Sequence, residues 1–96
     1  MLAQLEADAK GELRLSPDAL VFHSVGEVQL VRMVNTDSLF TFTYANSNPE
    51  VVSVNTREDG RFELKAVGPG EATLTVHCIL RDDSEVDLVC SVLCAW

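Results

Sequence analysis

Between Phe42 and Val76 the chain alternates apolar and polar residues in short runs, with a turn signal at each junction. The stretch reads FTYANSNPEVVSV, then a turn ending in Asp59-Gly60, then LKAVGPGEATLTV. Alternation with period two sends successive side chains to opposite faces of a strand. The Asn-Pro, Asp-Gly and Gly-Pro-Gly corners are chemically suited to reversing a chain. An amphipathic helix would need apolar residues three and four apart, and these runs do not supply them. The segment is therefore restricted to short strands joined by tight corners.

The same period extends over most of the 96 residues, a length suited to one domain. Residues 1–11 are rich in Ala, Leu and Glu and read as a flexible N-terminal segment or linker, with 12–96 forming the domain. Residues 12–15 alternate, Ser16-Pro17-Asp18 breaks the run, and residues 19–23 resume it. After the turn Ser24-Val25-Gly26, a strand over Glu27–Val34 carries Val28, Leu30 and Val34 on one face. Arg32 falls on that face too and calls for a bulge or a snorkelling stem. Phe40, Phe42 and Tyr44 alternate with Thr41 and Thr43, so spacing places all three aromatics on one face, at the centre of the core with Leu74 and Val76. A short strand follows at 51–54. Phe62, Leu64 and Ala66 share a face, as do Ala72, Leu74, Val76 and Cys78, and then Val86, Leu88, Cys90, Val92, Cys94 and Trp96. About seven or eight antiparallel strands with frequent turns predict an all-β, immunoglobulin-like two-sheet β-sandwich.

Leu15-Ser16-Pro17, Gly26-Glu27, Ser47-Asn48-Pro49 and Pro69-Gly70 occur in an order that resembles the bacterial immunoglobulin-like group 2 family, whose modules occur in surface adhesins and phage virion proteins. The resemblance covers about residues 13–93, with Tyr44 where that family usually has Trp and a somewhat longer Arg57–Lys65 region. It implies a split first strand, with Pro17 letting the chain change sheets. It also implies a non-enzymatic structural or binding module. One form is a virion component of tail or head, made in the cytoplasm and displayed on the particle surface. There it would make weak multivalent contacts with other protein subunits and with glycans. The alternative is a spacer or adhesion domain of a larger bacterial cell-surface adhesin. The family has no fixed functional positions, so no site residue carries over.

Fifteen acidic against seven basic residues give a net charge of −8. That balance predicts no positive patch, hence no nucleic-acid partner, and repulsion from anionic membrane surfaces. No apolar run approaches the roughly 20 residues of a membrane span. The start MLAQLEADAK lacks the basic and apolar regions of a secretory signal. It fits a chain used without export or a module cut from a longer protein.

Candidate chemistry is thin, and no catalytic residue, cofactor or metal is expected. Cys90 and Cys94, four residues apart on a strand, lie about 13 Å from each other, too far to share a zinc ion. Cys78 and Cys90 would face each other if the last hairpin were centred on Ser84, which would permit a cross-strand disulfide. Otherwise the three thiols act as small buried apolar groups. An odd count and no disulfide framework favour a reducing site of synthesis. Asp82, Asp83, Glu85 and Asp87 could offer oxygens to calcium or simply form a solvated turn. His77 and Cys78 leave opposite faces and cannot act as a base and nucleophile pair. His23 and His77 read as partly exposed strand residues. Trp96 is either a late core plug or an exposed anchor, and with Leu93 it marks the expected contact surface.

Overall fold

Phe62, Leu64 and Ala66 on one strand and Ala72, Leu74, Val76 and Cys78 on the next each form an apolar row, and all seven are buried. Covering those rows requires a second layer, and the chain folds as two four-stranded sheets. The computed structural model describes residues 13–57 and 60–96; the predicted N-terminal segment lies outside them. The strands are β1 (Arg14–Ser16), β2 (Ala19–Phe22), β3 (Val28–Val34), β4 (Leu39–Asn46), β5 (Val52–Thr56), β6 (Arg61–Ala66), β7 (Gly70–Leu80) and β8 (Glu85–Cys94). Sheet I has the order β1-β3-β6-β5 and sheet II the order β2-β8-β7-β4.

The chain changes sheets at Pro17: β1 pairs with β3 in sheet I, and β2 pairs with β8 in sheet II. The second pairing is parallel, which corrects the expectation of antiparallel strands throughout. It arises because β2 enters sheet II from the crossing and runs alongside the last strand, without a hairpin to reverse it. Near this edge Gln29 Nε2 donates to the Val21 carbonyl at 2.8 Å, tying β3 of one sheet to β2 of the other.

Phe62 organises the centre. Its ring is fully buried and meets Phe42 edge-on, with centroids 5.7 Å apart, and Tyr44 edge-on at 5.5 Å. Such pairs contribute about 0.5–1.5 kcal/mol each beyond area burial. Leu74 and Val76 are buried as expected, but the aromatic trio is not the centre of the core. The β4–β7 register slips between Leu39 and Thr41, and the bulge leaves Phe40 70% exposed. Phe42 and Tyr44 do face inward, yet β4 is an edge strand and Tyr44 remains 40% exposed.

The β3 face is also opposite to the apolar count. Val31 is buried against the β6 row and Met33 packs on the core, whereas Val28, Leu30 and Arg32 are exposed. No bulge or snorkelling is needed for Arg32, because it points to solvent on the outer face.

The corners are held by side chains that mimic backbone. Asn46 Nδ2 donates to the Val52 carbonyl at 2.7 Å, and its Oδ1 accepts from the Asn48 amide at 3.1 Å. Gly70 has φ 136°, and a Cβ there would lie 2.9 Å from Val51 Cγ2, so the Gly-Pro-Gly corner has no room for a side chain at that position.

Replacing Phe62 with Ala removes the fully buried ring that Phe42 and Tyr44 meet edge-on and is expected to cost about 3–5 kcal/mol. Replacing exposed Phe40 with Ala is expected to stay within about 0.5 kcal/mol. Urea unfolding of the two variants beside the parent measures both, and equal losses would contradict this account of the core.

Candidate functional site

Strand register sorts the charges by sheet. The four strands of sheet I carry Arg14, Arg32, Arg61 and Lys65 against one acid, Glu63. Those of sheet II carry Glu71, Glu85 and Asp87 and no Lys or Arg. Because Leu15, Val31, Phe62 and Leu64 occupy the inner face of sheet I, the intervening cations all project outward. Ser16 opposes Arg32, and Arg32 opposes Arg61, in one row across three strands. Ser16, Pro17, Leu30, Arg32 and Arg61 line an open groove of about 360 Å³. Arg57 extends the basic face and bridges Glu63 at 3.6 Å. Net charge is a sum over the surface, and among the described strands the cations are gathered on sheet I. An Arg at an alternate position of a strand was the signal available in the sequence.

A second depression opens where the two sheets' edges meet. Phe42, Thr43 and Tyr44 of β4, with Thr56, Arg57 and Gly60, line a cleft of about 570 Å³. It offers aromatic rings, hydroxyls and one guanidinium to solvent. The sequence named Phe42 and Tyr44 but assigned them wholly to the core.

Leu93 and Trp96, the expected contact residues, are both well exposed, at 41% and 49%. Leu93 lies on the outer face of sheet II between Val21 on β2 and Glu71 on β7. Val21 and Val89 are exposed on the same sheet. Trp96 lies two residues past the end of β8.

The cysteines do not pair. Cys78 stands opposite Val86, and Cys90 opposite Leu74, because the hairpin is centred on Asp82 and not on Ser84. The Leu80 amide donates to the Ser84 carbonyl at 2.8 Å, and Asp83 takes a positive φ of 70°. A four-residue offset is about 13 Å of strand, beyond the reach of a disulfide. All three thiols are buried and free. Burial, with a smaller contribution from Asp18, pushes the Cys90 thiol up to about 11. Burial raises Cys78 and Cys94 as well. Such thiols are poor nucleophiles. A thiol reagent applied at neutral pH is expected to leave native protein unlabelled and to modify all three residues in urea. Fast labelling without denaturant would contradict this burial.

His77 points outward while its neighbour Cys78 is buried. Its Nδ1 lies 2.5 Å from Asp87 Oδ1 and its Nε2 lies 2.7 Å from Glu85 Oε1. The hydrogen bond to Asp87, then that to Glu85, raises its pKa above the ordinary 6.5. Two of the four acids considered for calcium, Glu85 and Asp87, are thus engaged with His77. Asp82 is held by Ser84, whose amide donates to its Oδ1 at 3.0 Å. Among the described residues no group of three or more His, Cys, Asp or Glu is arranged to hold a metal ion.

A histidine whose pKa is raised on folding stabilises the native state fully below its unfolded value. That contribution fades as pH rises through the folded value. Parent protein is therefore expected to lose its melting-temperature advantage over His77→Gln between about pH 6 and pH 8. A constant difference across that range would show that the two carboxylates do not hold the imidazolium. No model of a known protein family matches the chain, and no curated protein sequence matches it.

Proposed function

We propose that this chain is an immunoglobulin-like structural and binding module without a catalytic role, carried on the surface of a virion. The strand order is the observation that carries the immunoglobulin-like part of this reading. One sheet ordered first-third-sixth-fifth, facing a sheet that contains the eighth, seventh and fourth strands, corresponds to the ABED and GFC sheets of an immunoglobulin sandwich. The split first strand, divided between the sheets at Pro17, supports the same reading and agrees with the resemblance to bacterial immunoglobulin-like group 2 modules.

Three buried, unpaired thiols favour synthesis and assembly in a reducing compartment, as for a particle built in the cytoplasm, over export to a cell wall. Its partners are then neighbouring subunits of the particle, with glycans as weaker surface ligands in the aromatic cleft of Phe42 and Tyr44. Weak single contacts suit a displayed module, since many linked copies raise binding by about 10²–10⁴ without any strong site.

The chain is expected in purified particles when peptides from particle and envelope fractions are compared by mass spectrometry. Recovery solely from a large envelope polypeptide would replace the virion reading with that of an adhesin spacer.

A further inference from the structure

We propose that this chain binds a second copy of itself face to face and head to tail, with the basic outer face of sheet I resting on the acidic outer face of sheet II of the next copy. This goes beyond the reading above and does not depend on it. The argument begins with the sorting of charge. The strands of one sheet carry four cations and one acid, while those of the other carry Glu71, and Glu85 and Asp87 flanking His77, with no Lys or Arg. Arg14, Arg32 and Lys65 make no ion pair or side-chain hydrogen bond among the described residues. Arg32 and Arg61 stand directly opposite each other, which sets two guanidinium groups in one row of the outer face.

Shape and polarity match as well. The groove lined by Arg32 and Arg61 is also lined by Leu30 and Ser16. On sheet II, Glu71 lies beside exposed Leu93, with Val21 next in the same row. Each face thus places apolar side chains next to charge, and the charges have opposite sign on the two faces. The molecule measures 42 × 30 × 21 Å, so either broad face has room for the roughly 800 Å² per partner of a standard interface.

A second copy fits better than a diffuse polyanion, because sheet II carries Glu71 at a fixed position beside the apolar row of Leu93 and Val21. At a net charge of −8 the copies repel at long range. Screening within about 8 Å at physiological salt leaves the contact to local charges. The two faces differ, so the contact is heterologous and can extend into a ring or a filament.

Analytical ultracentrifugation of the full chain with two variants tests this. Arg32→Glu with Arg61→Glu spoils the sheet I face; Glu71→Gln with Asp87→Asn weakens the sheet II face. Melting curves establish that each variant folds, and Arg32→Glu and Glu71→Gln alone serve if a double variant does not. The parent is expected to gain mass with concentration above its 10.5 kDa. The first variant should remain monomeric, and the second should associate at least tenfold more weakly. Mixing the two should restore association that stops at one-to-one pairs, since each supplies the face that the other lacks. A monomeric parent at millimolar concentration, a variant that self-associates like the parent, or a mixture that stays monomeric would each overturn the proposal. A monomeric parent retained through Arg32 on a sulfated polysaccharide would overturn it in favour of a polyanion.

Discussion

The packing of Phe62 between Phe42 and Tyr44 is the contact on which the two-layer arrangement depends. Phe62 belongs to sheet I and its two edge-on partners to β4 of sheet II, so one fully buried ring joins the middle of one layer to the edge of the other. Once it is seated, alternation dictates the remainder of both strands. Leu64 and Ala66 must follow it inward, and Arg61, Glu63 and Lys65 must project outward. On the facing strand Val76 and Cys78 are turned in, and His77 between them is turned out. The inertness of the thiols and the distribution of surface charge follow from the same packing of alternating rows.

Much of this was legible from residue order, and the misses have definable causes. The inner rows of β6 and β7 were clear because both strands lie between two neighbours and alternate without interruption. The change of sheets at Pro17 was legible because proline cannot continue a ladder within a sheet. On β3 both faces carry apolar residues, so counting them selected Val28 and Leu30, whereas opposition to Phe62 places Val31 inside. Arg32 was the better guide to phase, since a guanidinium in a half-buried strand belongs on the wet face.

Register is a pairwise property, and single-strand patterns contain little of it. The bulge that expels Phe40 depends on where β7 offers its hydrogen bonds. The offset of Cys78 from Cys90 depends on the hairpin being centred on Asp82, where Ser84 closes the turn on its carboxylate. The basic face needed register as well: Ser16, Arg32 and Arg61 are far apart in sequence and form a row solely because three strands align them. A total of −8 contained no trace of that row. The aromatic cleft was hidden for a related reason, since β4 and β5 become neighbouring edges only after both sheets are assembled.

The edges of the sheets bear on which surfaces are free to meet another copy. An open edge strand is a template for pairing by backbone hydrogen bonds, and proteins blunt it with short strands or bulges. Here β1 has three residues, β2 four and β5 five, too few for a long ladder. The one long edge, β4, is interrupted by the bulge at Phe40. Edge-to-edge growth is thus discouraged along β1, β2 and β5. The broad outer faces have no such interruption, and they carry opposite charge beside exposed Leu30 on one side and Leu93 on the other. A contact made there would be read out by side chains instead of backbone, and so could be specific for orientation while remaining weak.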